Sequence, residues 1–161
     1  MERKFKMVDK SKVKSAFIKV LEKKREKLRK SVEKTREEAI GAPSSRQTWS
    51  DTSRYQSSRL ADNIGSLLEE TERILNNLRT LRLDRVGEVA LGSLVKIEDR
   101  LNRDVKYYLV VSIGGGESIL VNGQEITMMS VVAPLARALM GEKEGEVINL
   151  GDNSFQILEI F

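Results

Sequence analysis

The 161-residue chain contains no cysteine and no histidine. That absence excludes disulfides, thiol nucleophiles, imidazole bases and the usual zinc sites in one step. Any chemistry must rest on carboxylates, lysines, hydroxyls or a borrowed metal. Aromatic residues are scarce at 5%, with Trp49 the single tryptophan. There is no run of about eighteen apolar residues to span a bilayer, and no apolar stretch at the N-terminus to direct export. The expected compartment is the cytoplasm.

The net charge of +4 conceals an asymmetry. Residues 1–83 carry 21 Lys+Arg against 12 Asp+Glu, whereas residues 84–161 carry 7 against 12. A basic segment joined to an acidic one implies two surfaces with different partners.

From Asp9 to Ala39 the chain lacks proline and glycine. Ile18, Leu21, Arg25, Leu28, Val32, Thr35 and Ala39 recur at alternating steps of three and four, the pattern of a coiled-coil seam with one charged interruption. Gly41 and Pro43 end this helix. So long and polar a helix requires a partner. A second series, Leu60, Ile64, Leu67, Thr71, Ile74, Leu78 and Leu81, has the same alternation. The connection of about ten residues between them returns the chain antiparallel. Toward that connection both seams turn small and polar, through Thr35, Ala39, Ser53 and Ser57, which predicts a narrow end. Gly65 interrupts the second helix at a cost of about 1 kcal/mol relative to alanine, with no functional account.

The connection, GAPSSRQTWS, and the turn after it form the tip of the expected hairpin, at about residues 41–58. Ser50 is suited to cap the second helix and Asp51 to its first turn, where the dipole favours a carboxylate. The same carboxylate, held at the end of a rod, is free to meet a metal held elsewhere, although one carboxylate alone binds magnesium poorly. Trp49 and Tyr55 serve either as anchors in a partner or as packing for the tip. Lys19, Lys23, Lys27, Lys30 and Lys34 form a stripe opposite the first seam. Like charges so spaced do not stabilise a helix; the stripe is either a solvated face or a path for a phosphate backbone.

From Val86 the period shortens to that of strands. Leu94–Glu98, Val105–Ser112, Ser118–Val121, Glu125–Met128, Glu146–Leu150 and Phe155–Ile160 read as strands, with Asn122-Gly123 a strong hairpin signal. Pro134 opens a short helix that Gly141 closes. The run Gly114–Gly116 lacks a lysine and a following helix, so it reads as a strand connection rather than a phosphate cradle. The fold class is α+β: a long antiparallel helical hairpin over residues 1–83, then a small antiparallel sheet with one helix over 84–161.

The segment APLARALMGEKEGEV (Ala133–Val147), with its Pro-led helix and Gly-x-x-x-Gly turn, resembles the C-terminal domain of the bacterial Gre transcript-cleavage factors. LGSLVKIED (Leu91–Asp99) is similar to that domain's opening strand, and a coiled coil before an FKBP-like domain is the Gre architecture. The resemblance implies an accessory factor, not an enzyme, that docks on RNA polymerase through its C-terminal domain. Pro134, Leu135, Arg137 and Met140 would then be docking positions. It further implies a coiled coil inserted into the secondary channel, a basic stripe facing nascent RNA, and tip acids that help hold a second Mg2+ at the polymerase centre, with no metal of the factor's own. In the Gre pattern an Asp and a Glu stand three residues apart, and a Tyr follows four residues later. With Tyr55 matched to that Tyr, Asp51 takes the Glu position and Thr48 replaces the Asp. One carboxylate is therefore missing, which favours a cleavage-deficient modulator over a cleavage factor.

Two other functions remain in view. A prolyl isomerase needs an aromatic-lined pocket, and residues 84–161 hold only Tyr107, Tyr108, Phe155 and Phe161 as rings. A scaffold that dimerises through its seams needs helices that pair between chains. An intramolecular hairpin instead predicts a monomer, and sedimentation velocity checks it: a tight dimer would contradict the tip argument.

Overall fold

The computed structural model describes residues 9–41, 49–84 and 87–161. Helix α1 spans Lys10–Gly41 and helix α2 Trp49–Thr80. Asp9 caps α1, its carboxylate accepting the Ser11 N–H at 2.9 Å; this occupies one of the amides that a helix start leaves without a partner. Because α2 already begins at Trp49, Ser50 lies inside its first turn rather than at the cap. Residues 42–48, most of the expected connection, lie outside the described residues.

From Ile18 to Thr35 the α1 seam is as expected from its spacing, and the Ala39 side chain lies outside those described. Leu21, Val32 and Thr35 are buried, and Ile18, Arg25 and Leu28 are half-buried. On α2 the register differs. Thr71 and Leu78 are buried as expected, but Leu60 and Leu67 remain 54% and 49% exposed. Their places are taken by Ala61 and Leu68, half-buried, and by Leu75, fully buried. Two series with the same alternation overlap on this helix and share Ile64, Thr71 and Leu78. Spacing alone therefore cannot say which flank turns inward. The two buried threonines satisfy themselves: Thr35 Oγ1 donates to the Ser31 carbonyl at 2.7 Å and Thr71 Oγ1 to the Leu67 carbonyl at 2.8 Å. A polar group can thus sit in the seam without an unmade hydrogen bond.

Packing divides the chain into two compact units, whereas the expected boundary at residues 83 and 84 marks the change of period. One unit is Lys19–Asn76; the other joins the described residues up to Ile18 with Asn77–Phe161. The second contains β1 (Leu94–Asp99), β2 (Val105–Val111), β3 (Ser118–Val121), β4 (Gln124–Ser130), α3 (Pro134–Leu139), β5 (Val147–Leu150) and β6 (Asn153–Ile160). The sheet order is β3-β4-β2-β1-β6-β5.

The sheet is mixed rather than wholly antiparallel. β2 and β4 pair in parallel, with Tyr107 opposite Ile126 and Val111 opposite Ser130, while the other pairings are antiparallel. Burial explains this order. β4 carries Ile126, Met128 and Met129, all buried, and suits a central place, whereas Leu120 on the four-residue β3 is 74% exposed and suits an edge. The Gly114–Gly116 run lets the chain pass β4's place and return through the Asn122-Gly123 turn. All three glycines have positive φ, and at Gly115 a Cβ would approach the Ser130 amide at 3.3 Å. Asn122 and Gly123, at φ 53° and 79°, make the tight turn that their dipeptide predicts.

One face of the sheet packs Val95, Ile97, Val110, Met129, Ile157 and Ile160 with Ala136 and Leu139 of α3. On the other face the row Leu94, Leu109 and Met128 is also buried. Within the same unit Val13, Phe17, Leu78 and Leu81, at the base of the two long helices, are buried as well. The Asn77 side-chain carbonyl accepts a hydrogen bond from the Ser112 hydroxyl. At Gly92 the fit is closest: φ is 85°, and an added Cβ would lie 2.0 Å from the Arg82 carbonyl oxygen.

Two glycine substitutions should therefore act in opposite directions. Gly92→Ala combines a left-handed backbone with a backbone clash, and is expected to cost at least about 3 kcal/mol. Gly65 has nothing within 4 Å of an added Cβ, so Gly65→Ala should stabilise by about 1 kcal/mol and raise the melting temperature by about 2–4 °C. Thermal melts of both variants test the pair.

Candidate functional site

The expected site residues fall into three groups. Of the tip, Thr48 lies outside the described residues. Trp49, Ser50 and Asp51 have helical backbone in the first turn of α2, and their side chains are not among those described. Tyr55 is 63% exposed, with the Arg59 guanidinium 5.7 Å from its ring centre. Asp51 and Tyr55 stand four positions apart on α2, about one helical turn.

All five lysines of the stripe are exposed. Two are matched to acids on their own helix: Lys30 to Glu26 at 3.7 Å and Lys34 to Glu38 at 3.9 Å. Arg29 likewise reaches Glu33 at 3.8 Å. Exposed pairs of this kind hold a side chain only weakly, by a few tenths of a kcal/mol, so a polyanion can displace them.

The third group surrounds α3. Pro134 stands at its first turn and Gly141 beyond its end at φ 82°. Pro134, Arg137 and Met140 are exposed and Leu135 is half-buried, while Ala136 and Leu139 turn into the core. Val132, 65% exposed, extends this apolar and cationic surface; it precedes the motif and carried no signal of its own. The following turn is held firmly. Gly141 N–H donates to the Val89 carbonyl at 2.8 Å, Val89 N–H to the Glu142 carbonyl at 2.8 Å, and Gly145 N–H to the Ile157 carbonyl at 2.8 Å. Glu144 accepts the Ile160 N–H at 2.8 Å.

The same turn sets two carboxylates against each other. A hydrogen bond to Glu146, together with its like charge, holds the Glu142 carboxyl above the usual carboxylate range. Glu146 is held below it, chiefly by the Lys143 backbone N–H, which donates at 2.6 Å. The arrangement leaves this turn with one carboxylate that ionises less readily than its neighbour.

Elsewhere, a cleft of about 530 Å³ is lined by Lys96, Val105, Lys106, Tyr107, Tyr108, Gly123, Gln124, Glu125 and Thr127. Its Gln124 amide donates to the Tyr107 hydroxyl at 2.9 Å, and the Lys96 ammonium lies 5.9 Å from the Tyr107 ring centre. The lining mixes the charged Lys96, Lys106 and Glu125 and the Gln124 amide with Val105 and the rings of Tyr107 and Tyr108. Among the described residues no three or more Asp or Glu side chains come together as a metal site, and no helix is long and apolar enough to cross a membrane.

Known proteins complete the picture. The family description "Transcription elongation factor, GreA/GreB, C-term" matches residues 84–160. Transcription elongation factor GreA of Methylococcus capsulatus is 31% identical over 131 residues, covering 76% of this chain and 79% of that protein. The chain belongs to the GreA/GreB family. GreA of Helicobacter hepaticus is 39% identical over 80 residues, 47% of this chain and 45% of that protein, so the chain matches under half the length of that relative. A crystal structure of GreA factor homolog 1 (Gfh1) of Thermus thermophilus aligns over 89% of this chain and 94% of that one, at 23% identity and a TM-score of 0.37.

The carboxylate pair in the turn after α3 can be tested directly. In an NMR pH titration Glu142 should titrate above and Glu146 below the ordinary glutamate value. Removing the charge with Glu146→Ala should bring Glu142 back toward the ordinary value. An unchanged Glu142 in that variant would show that another group raises it.

Proposed function

We propose that this GreA/GreB family member binds RNA polymerase and regulates elongation, with the α3 surface docking on the enzyme and the hairpin tip entering its secondary channel. The observation that carries the reading is the family relationship over 131 residues, a length that requires part of the helical segment as well as the C-terminal domain. The exposed Pro134, Arg137 and Met140 supply a compact anchor, and Asp51 and Tyr55 stand about one turn apart near the start of α2. The lysine stripe is assigned to a phosphate backbone, nascent RNA being the partner of that chemistry. The factor acts as a monomer in the cytoplasm.

Between cleavage and its absence, the tip favours a modulator with little cleavage activity. Thr48 supplies neither the charge nor the paired oxygens of an acid. A divalent ion near Asp51 would have to take most of its ligands from the polymerase. The role of this chain would then be positional: its carboxylate would orient, and its bulk would occupy the channel.

A transcript-cleavage assay on stalled complexes tests this. Wild type and Asp51→Ala should both bind core polymerase, and wild type should stimulate little cleavage. Thr48→Asp, which restores the second acid, should raise cleavage about tenfold. Strong wild-type cleavage abolished by Asp51→Ala would make it a cleavage factor instead. Arg137→Glu should weaken polymerase binding about tenfold, or ~1.4 kcal/mol; unchanged affinity would move the docking site elsewhere.

A further inference from the structure

The cleft beside the Asn122-Gly123 turn is used by none of the three groups of expected site residues. It opens where β2 and β4 part: their parallel ladder begins at Tyr107 and Ile126, while Val105 and Lys106 stay paired to β1 and Gln124 and Glu125 to β3. Residues from both faces of the sheet therefore line it. Lys96 and Tyr107 stand opposite each other across β1 and β2, the ammonium 5.9 Å from the ring centre, and the Tyr107 hydroxyl accepts the Gln124 amide N–H at 2.9 Å.

That bond leaves the other end of the Gln124 amide unmet. Its Oε1 is buried and has no hydrogen-bond partner, the one side-chain oxygen or nitrogen so placed among the described residues. An acceptor that has lost water without gaining a donor destabilises the fold. Gln124 as a whole is only half-buried, so a change of rotamer brings the oxygen into the cleft, where a ligand's donor can meet it.

The surroundings select the ligand. At about 530 Å³ the cleft suits a small organic molecule rather than a lone ion. Lys96 and Lys106 are two of only seven basic residues that residues 84–161 hold against twelve acids, and Glu125 alone opposes them in the lining, so an anionic group is favoured. Tyr107 and Tyr108 supply ring surface for a flat group. A prolyl peptide bond brings neither an N–H for the Gln124 oxygen nor charge for the lysines, and inorganic phosphate brings no flat group. A nucleoside phosphate has all three: a phosphate, a planar base and base N–H donors that an amide oxygen accepts. We propose that this cleft is a nucleotide-binding site, with Lys106 and Lys96 toward the phosphates, Tyr108 against the base and Gln124 Oε1 accepting a base N–H.

The site needs no polymerase, so its test is separate from that of the elongation reading. The four ribonucleoside triphosphates are titrated in turn into the isotope-labelled full chain and followed by NMR. At least one should shift the Gln124, Lys106 and Tyr108 amide resonances saturably, with a Kd of about 1 mM or below, and inorganic triphosphate should bind at least about tenfold more weakly. Gln124→Leu should melt close to wild type, since the unmet acceptor leaves with the amide, and should weaken nucleotide binding about tenfold. Lys106→Ala, at an exposed position, should weaken it about fivefold, and Arg137→Ala on α3 should leave it unchanged. The assignment is overturned by the absence of a saturable shift at those residues with any of the four, by inorganic triphosphate binding as tightly as the nucleotide, or by a proline-containing peptide occupying the cleft in their place. Wild-type affinity in both Gln124→Leu and Lys106→Ala overturns it equally.

Discussion

Two helices of 32 residues each, charged over most of their surface, cannot stand alone in water. Their persistence depends on burying a narrow seam against one another. Leu21, Val32, Leu75 and Leu78 provide that burial. The threonines at positions 35 and 71 thin the seam without leaving an unpaired hydroxyl, because each bonds the carbonyl one turn back. A seam so economical leaves the outer faces free for charge, and the lysine stripe on α1 exists because nothing about packing forbids it.

The C-terminal half obeys a different constraint. Its sheet is buried on both faces along the row Leu94, Leu109 and Met128 and across the α3 face. What reaches the surface includes edges, turns, the outer side of α3 and single positions on inner strands such as Lys106 and Glu159. The buried sheet supports α3, whose outer side presents Pro134, Arg137 and Met140, and the following turn is braced at Gly141, Glu144 and Gly145. The same turn brings Glu142 and Glu146 together, a pair that resists double ionisation.

Some parts of this architecture were legible in residue order alone. The seam of α1, the ends of α3 and the hairpin at Asn122-Gly123 each depend on neighbours within a few residues, where dihedral preference and spacing act directly. The site was less legible. Asp51 and Tyr55 stand one helical turn apart, which spacing predicts, but the exposed Val132 and the cleft around Gln124 had no local pattern to mark them. Gln124 looks like one more polar residue after a turn until Tyr107 is placed beside it.

By itself, then, the order of residues determined the kinds of element, their sequence, the contrast in charge between the two halves and the chemistry that cannot occur without histidine or cysteine. Tertiary structure decided which flank of α2 turns inward, leaving Leu60 and Leu67 outside and Ala61, Leu68 and Leu75 within. It also decided that β4 rather than β3 lies beside β2, and that Lys96, Tyr107 and Gln124 meet in one cleft. The reason is common to all three. Each is a choice among arrangements of equal local energy, and only contacts between residues far apart in the chain distinguish them.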